Sequence, residues 1–213
     1  MQRYRIPAKK TRTEIQVSNS RFISSAVPVF SVEEAKAFIH EVRHEFSDAS
    51  HHVPAFLIGY GQSVTAHCSD DGEPSGTAGR PALAVLQGSG LGDIAVIVTR
   101  YFGGTKLGTG GLVRAYTDAV KAVLEILPVA EKVPTHTAML VTPYALYEQT
   151  KLMIHDQHGK ILDEEFGPDI TITIQFMVDH YEPFNHKLLE LSRGKIQAEI
   201  IETNPNTIMP ISP

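Results

Sequence analysis

The sequence predicts an α+β protein built from two domains, and three observations support this fold class. Short apolar segments of strand length alternate with amphipathic helical patterns along the 213 residues. Pro128 and Pro134 interrupt this alternation near the middle of the chain. The segments that follow take the order strand, helix, strand, strand, helix, strand, which is the ferredoxin-like arrangement. We therefore expect a first domain over 1–128, a ferredoxin-like domain over 129–204 and an extended tail over 205–213.

The first domain is expected to open with extended chain and a capped helix. Residues 1–12 are basic and predict an extended lead-in. Residues 21–28, which read R-F-I-S-S-A-V-P, predict a strand. Ser31 and Glu34 form a capping box, which begins a helix over 32–46 with one apolar face.

Two more strands and two more helices complete the predicted first domain. Residues 52–60 form an apolar run that is too short for a typical helix, so they predict a buried strand. A helix over 80–87 has a proline in its first turn and is ended by glycines. Residues 93–101 predict the central strand, and 112–127 predict the last helix, whose apolar residues face inward.

The second domain is predicted from capping and alternation signals. Thr142 can cap its first helix, and Gly159 ends that helix. The second strand of a predicted hairpin alternates apolar and polar residues, which is typical of a half-buried strand. The predicted elements are a strand at 133–141, a helix to 157, strands at 160–166 and 170–178, a helix at 182–192 and a strand at 195–202. The predicted core residues are Leu140, Leu146, Ile154, Ile172, Ile174, Phe184, Leu188 and Ile200.

Composition and charge favour a soluble, globular protein. Apolar residues make up 42% of the chain and charged residues 20%. No apolar run approaches the roughly 20 residues of a membrane helix, and the N-terminus lacks the pattern of a signal peptide. The single cysteine, Cys68, excludes an intrachain disulfide and fits a reducing compartment, so we expect a cytoplasmic protein with no membrane partner. Residues 1–127 carry 13 Lys and Arg against 12 Asp and Glu, whereas 128–213 carry 6 against 12. A polyanion would therefore meet the first part of the chain.

Two glycine-rich stretches, 68–79 and 101–111, flank the predicted central strand. The second runs into a helix, and the first turn of a helix offers unpaired N–H groups and a positive dipole end to an anion. Ordinary tight turns are the alternative explanation for so much glycine. The stretch is neither a P-loop nor a dinucleotide-binding fingerprint. The candidate residues for binding an anion or nucleic acid are Arg80, Arg100, Lys106, Gly108, Thr109, Gly110, Gly111 and Arg114.

Three acids of the first stretch, Asp70, Asp71 and Glu73, are candidates for chemistry. Closely spaced carboxylates can hold Mg²⁺ or act as acid and base, but the favoured interpretation is that Asp70 and Asp71 cap turns or pair with Arg80. The histidines near Cys68 lack the spacing of a zinc site, and no motif for a catalytic nucleophile is present. We therefore expect no catalytic residue, no metal and no cofactor.

The two glycine-rich stretches are expected to converge on one face of the first domain. Each adjoins the central strand, one directly and one through the short helix. Either Arg80 or Arg100 could hold them together by pairing with Asp70 or Asp71.

Two long motifs resemble those of the IMPACT family, in particular its bacterial YigZ-type members. They read S-D-D-G-E-P-S-G-T-A-G-R-P and R-Y-F-G-G-T-K-L-G-T-G-G-L-V-R-A-Y. The resemblance implies that the first domain has the fold of the second domain of a small-subunit ribosomal protein and of domain IV of elongation factor G. It also implies that the second domain is similar to domain V of elongation factor G.

The same resemblance implies a function in translation. Eukaryotic relatives regulate translation. For bacterial members the resemblance implies a contact with RNA or the ribosome. We therefore expect a non-enzymatic regulator that binds through the glycine-rich basic surface. A protein partner in translation is also possible. A phosphate-handling enzyme with the fold shared by GHMP kinases and a protein-interaction scaffold remain as alternatives.

Overall fold

The computed structural model describes residues 3–210, which form two compact units. The N-terminal unit comprises Tyr4–Glu131, and the C-terminal unit is built from Lys132–Met209 together with Arg3. The elements up to residue 128 are β1 (Tyr4–Pro7), β2 (Thr11–Val17), β3 (Ser20–Pro28), α1 (Val32–Glu45), β4 (His51–Tyr60), β5 (Ser63–Cys68), α2 (Gly79–Gly88), β6 (Ile94–Tyr101) and α3 (Gly108–Glu125). Those that follow are β7 (Val129–Thr142), α4 (Tyr144–Asp156), β8 (Lys160–Phe166), β9 (Ile170–Met177), α5 (Val178–Leu191) and β10 (Glu199–Pro210).

A sheet covered on both faces organises the N-terminal unit. Its strand order is β2-β3-β6-β4-β5, and all neighbours are antiparallel. In the central strand β6, Ile94, Val96 and Val98 face the core shared with α2 and α3, whereas Ala95 and Ile97 face the core shared with α1. Burial on both faces explains why this strand is apolar at successive positions. The buried central strand that the sequence predicted is confirmed.

Helix α1 begins as the capping box predicts. The backbone N–H of Glu34 donates to the Ser31 hydroxyl at 3.1 Å, and the Glu34 carboxylate accepts from the N–H of Phe30 at 2.8 Å. Phe38 and Val42 turn toward the sheet and are buried. The local signal therefore placed this helix correctly.

The C-terminal unit has the predicted ferredoxin-like order of elements. Its sheet runs β10-β7-β9-β8, with β9 antiparallel to both β7 and β8. Ile170, Ile172, Ile174 and Phe176 of β9 are buried at alternating positions and pack with α5 residues such as Phe184. The predicted α+β class with a ferredoxin-like second half is confirmed.

Several elements differ from the prediction. Strands β1, β2 and β5 were not predicted as strands. β1 has only four residues, β2 is mostly polar, and β5 is short and largely exposed. The last strand begins four residues later and ends eight residues later than expected, so that residues 205–210 continue β10; residues 1, 2 and 211–213 lie outside the described part of the chain. Ile200, which was predicted to be core, is 43% exposed on this strand.

Helix α3 also begins earlier than predicted, at Gly108 rather than Leu112. Glycine is a poor helix former, so its enrichment indicated a loop. The first-turn N–H groups need no intrahelical acceptor, however, and glycine is tolerated where the helix begins. Gly108, Gly110 and Gly111 are therefore part of the helix N-terminus, which bears directly on the candidate site.

Candidate functional site

A cleft of about 450 Å³ opens where the two glycine-rich stretches meet in the N-terminal unit. One wall comes from residues 69–78, here called the acid loop, and the opposite wall from residues 102–107, the glycine loop, with the first turn of α3. Both loops connect a strand to a helix. The predicted convergence of the two stretches is confirmed.

The floor of the cleft is a buried ion pair between Glu73 and Arg100. The Arg100 guanidinium donates from Nη1 to Glu73 Oε1 at 2.6 Å, and the Tyr116 hydroxyl donates to the same oxygen at 2.7 Å. Either Arg80 or Arg100 was expected to pair with Asp70 or Asp71, but Arg100 pairs with Glu73 instead. Arg100 was also a candidate anion contact, and its side chain is buried, with the residue only 5% exposed.

Aromatic rings hold the Arg100 guanidinium in place. Its central carbon lies 5.4 Å from the centroid of the Phe22 ring and 5.5 Å from that of Phe102, within the range of favourable cation–π contacts. Burial raises the pKa of Tyr116 well above its ordinary value, and the hydrogen bond to Glu73 raises it further. Tyr116 is therefore a hydrogen-bond donor that fixes Glu73.

Asp70 fixes the acid loop through backbone contacts. Its carboxylate accepts hydrogen bonds from the N–H groups of Gly76, Ala78 and Gly79, at 2.8–3.1 Å. Partial burial favours the neutral acid, but these three donors and the nearby charge of Arg80 prevail and hold the pKa of Asp70 below its ordinary value. Asp70 therefore fills the turn-capping role that the sequence left open.

Asp71 links the acid loop to Arg43, His51 and His52 through hydrogen bonds. Its carboxylate accepts from the backbone N–H of His52 at 2.6 Å and from the Arg43 guanidinium. Its carbonyl oxygen lies 2.8 Å from His51 Nδ1. The partner of Asp71 is thus Arg43 rather than Arg80, and within residues 3–210 no ion pair of Arg80 is found.

The first turn of α3 lies open at the rim of the cleft. Leu107 precedes the helix and provides no side-chain cap, and Gly108 has a φ of +72°, which favours glycine. Residues 108–110 are exposed, and methyl groups built at Gly108 or Gly110 would meet no atom within 4 Å outside the adjoining backbone. A ligand can therefore approach the first turn, whose N–H groups have no intrahelical partner.

Exposed basic residues lie on and near this rim. Lys106, Gly108 and Thr109 line the cleft. Arg80 and Arg114 are exposed but are not among its lining residues. The structure thus brings four of the candidate anion-binding residues to the cleft, namely Arg100, Lys106, Gly108 and Thr109. The candidates did not include His51 and Tyr116, whose contacts depend on partners distant in sequence.

The arrangement is suited to binding an anion. Among residues 3–210, no group of three or more His, Cys, Asp or Glu side chains is placed to hold a metal ion. Cys68 is no activated nucleophile, because burial, together with the charge of Asp70, raises the pKa of its thiol. Accessible N–H groups, a helix dipole and Lys106 instead offer donors and positive potential to a phosphate.

Together, the fold and the cleft define a two-unit α+β protein whose N-terminal unit has a cleft between the acid loop and the first turn of α3. The chain belongs to the IMPACT family. Residues 18–124 match the Impact N-terminal domain, and residues 140–195 match a domain of unknown function, DUF1949. The family resemblance seen in the two motifs is confirmed.

Curated relatives and a solved structure cover nearly the whole chain. IMPACT family member YigZ of Escherichia coli is 37% identical over 95% of this chain and 100% of its own length. An IMPACT family member of Haemophilus influenzae is 34% identical over 95% and 98%. A solved structure of a hypothetical protein matches with a TM-score of 0.63 at 37% identity, over 95% of this chain and 98% of that chain. None of the described helices is long and apolar enough to cross a membrane.

Proposed function

We propose that the protein is a non-enzymatic, translation-related regulator that binds RNA, free or within the ribosome, in the cytoplasm. The proposed contact surface is the rim of the cleft, with the first turn of α3 and Lys106 meeting phosphates. Arg114, which is exposed on the same helix, extends this surface.

The observation that carries the proposal is the uncapped N-terminus of α3 beside Lys106. Oriented N–H groups and a helix dipole attract a phosphate without regard to base sequence. Lys106 adds an exposed cationic contact on the same rim. Binding of this kind is weak, largely independent of sequence and sensitive to salt.

The charge distribution is consistent with this surface. The part of the chain that carries the cleft is nearly neutral, whereas residues 128–213 have 12 acids against 6 basic residues. A polyanion is therefore repelled less by the part with the cleft than by the rest of the chain.

A filter-binding titration of single-stranded RNA at several salt concentrations tests this function. With Lys106 and Arg114 as cationic contacts, the log–log salt slope should be roughly −1.4, at about −0.7 per phosphate. Lys106→Glu should weaken binding of all sequences alike and flatten the slope by about 0.7. Lys121→Glu, the same charge change at an exposed site farther along α3, is the matched control and should bind as the wild type does. Equal affinities and slopes for Lys106→Glu and wild type would refute this surface.

A phosphate-handling enzyme is the second candidate, and the size of the cleft favours it. About 450 Å³ lies within the range of small-molecule sites. A thermal-shift series with nucleotides and Mg²⁺ separates the two functions, since a bound nucleotide stabilises the protein by about 2.7 kcal/mol at a hundredfold excess over its Kd. Stabilisation by a nucleotide without RNA binding would favour the enzyme, and neither response would favour a protein-interaction scaffold.

A further inference from the structure

The buried end of the cleft presents an unused hydrogen-bond acceptor. Glu73 has a side chain that is only 3% exposed, and both of its hydrogen bonds, from Arg100 and Tyr116, go to Oε1. In the described part of the chain, no hydrogen bond reaches Oε2. A carboxylate oxygen in such a place gains considerably from a donor that a ligand brings.

His51 lies beside this oxygen. Its Nδ1 lies 2.8 Å from the Asp71 carbonyl oxygen, so Nδ1 donates to that oxygen. Its Nε2 lies 3.9 Å from Glu73 Oε2, which is too far for a hydrogen bond. Both residues line the cleft. The free carboxylate oxygen of Glu73 is matched by a hydroxyl or amine donor rather than by a second phosphate.

The two ends of the cleft therefore select for different groups. The end at Lys106 and the α3 N-terminus offers donors and positive charge, which suit a phosphate. The end at Glu73 offers a carboxylate oxygen, which suits a hydrogen-bond donor. RNA carries a phosphate and a ribose 2′-hydroxyl within the same nucleotide, whereas DNA lacks that hydroxyl.

We propose that Glu73 reads a ribose 2′-hydroxyl through Oε2 and thereby makes the cleft selective for RNA over DNA. The inference rests on the proposed RNA binding and assigns a specificity role to a residue that also holds Arg100. The hydroxyl donates to the carboxylate while a neighbouring phosphate occupies the α3 N-terminus. A hydrogen bond to a charged acceptor corresponds to a preference of roughly tenfold to a hundredfold.

The test changes the oligonucleotide and leaves the protein intact. Wild-type protein is titrated, at one salt concentration, with RNA, with 2′-fluoro RNA of the same sequence and with the matching DNA. The 2′-fluoro sugar keeps an RNA-like pucker but cannot donate a hydrogen bond. We expect RNA to bind about tenfold or more tightly than both analogues.

Each other outcome overturns a defined part of the inference. Equal affinity for RNA and 2′-fluoro RNA, with or without weaker DNA binding, means that the hydroxyl is not read, and it leaves RNA binding intact. No binding to any of the three oligonucleotides overturns both the inference and the proposed function. If a free nucleoside monophosphate competes with RNA at equal strength, RNA is overturned as the specific ligand. The phosphate and hydroxyl contacts would then belong to a mononucleotide.

A Glu73 variant then tests whether the preference for RNA over 2′-fluoro RNA depends on this residue. Glu73→Gln, with folding checked by circular dichroism, should lose the preference of RNA over 2′-fluoro RNA. Glu125→Gln, the same chemical change at an exposed site of α3, should keep it. A folded Glu73→Gln protein that retains the full preference would overturn the assignment. If this variant does not fold, the comparison with wild-type protein still decides whether the hydroxyl is read.

Discussion

The acid loop and the glycine loop face each other across the cleft, yet they are built in opposite ways. The three carboxylates of the acid loop all have partners within the protein: Asp70 has backbone N–H groups, Asp71 has Arg43, and Glu73 has Arg100. The glycine loop is held mainly at its start, where the N–H of Gly103 donates to the Ser20 hydroxyl at 3.2 Å. Beyond that point its residues are mostly exposed.

This difference changes how the motif is understood. Acidic residues are the usual candidates for catalysis, but here most of their oxygens hold the loop in shape. Glycines are the usual sign of a turn, but here several of them leave a helix N-terminus open to a ligand. Apart from Glu73 Oε2, which we propose reads a ligand hydroxyl, the acid loop is therefore expected to govern stability and the glycine loop to govern binding.

The largest expected effect is the loss of stability in Glu73→Gln. Removing the partner of a buried cation leaves Arg100 without a counter-charge, which costs about 3–5 kcal/mol. Urea denaturation measures this free energy. Glu45→Gln is the control, because Glu45 pairs with Arg12 at a more exposed site and such pairs contribute about 0–1 kcal/mol. Similar losses in both variants would mean that the buried pair has no special structural role.

A smaller effect is expected for Asp70→Asn. The variant loses the charge that accepts three N–H groups, and we expect a destabilisation of about 2 kcal/mol at pH 7. Because the folded-state pKa of Asp70 lies below its unfolded value, this stabilisation is fully present above about pH 3.9 and is lost as pH falls through the folded pKa.

Denaturation of wild type and Asp70→Asn at pH 7 and at progressively lower pH tests the predicted direction of this pH dependence. The two stability curves should approach each other in acid. Asp118→Asn, at an exposed position on α3, should match the wild type at every pH. A constant gap between wild type and Asp70→Asn down to strongly acidic pH would show that the carboxylate charge is not responsible.

Local signals made much of the fold predictable. The apolar run of β6, the capping box of α1 and the alternation in β9 each act over a few residues, so sequence spacing suffices to recognise them. The edge strand β5 alternates polar residues with Val64, Ala66 and Cys68, but it is only six residues long and largely exposed, and its pairing with β4 decides its structure. A strand this short and exposed was not recognised from its sequence.

The site was predictable only in part, for a related reason. Both stretches adjoin the central strand, so their convergence followed from chain connectivity. The choice of partners did not, since Arg100 lies 27 residues from Glu73 and Tyr116 lies 43 residues from it. Arg114 and Asp118 have the spacing of a helical ion pair, yet none forms between them in the described part of the chain. Spacing alone cannot rank competing partners that meet only in the folded chain.

The smallest expected change in stability concerns Gly110 of the first turn of α3. A methyl group there would meet no atom within 4 Å, so packing does not demand glycine. Alanine favours the helix and restricts the unfolded chain, and Gly110→Ala should therefore stabilise the protein by about 0.5–1 kcal/mol. If a phosphate binds the first-turn N–H groups as proposed, the added methyl group crowds it, so RNA affinity should fall several-fold.

Gly108→Ala separates the weaker RNA binding expected of Gly110→Ala from a general disturbance of the turn. Gly108 has a φ of +72°, and alanine at such an angle costs about 1–2 kcal/mol, so this variant should lose both stability and affinity. Thermal melts and filter binding on the two variants measure both quantities. A Gly110→Ala protein that is more stable and binds RNA as well as wild type would mean that the open helix N-terminus is not the contact. Higher stability with weaker binding would show that glycine at position 110 is required for ligand binding rather than for stability.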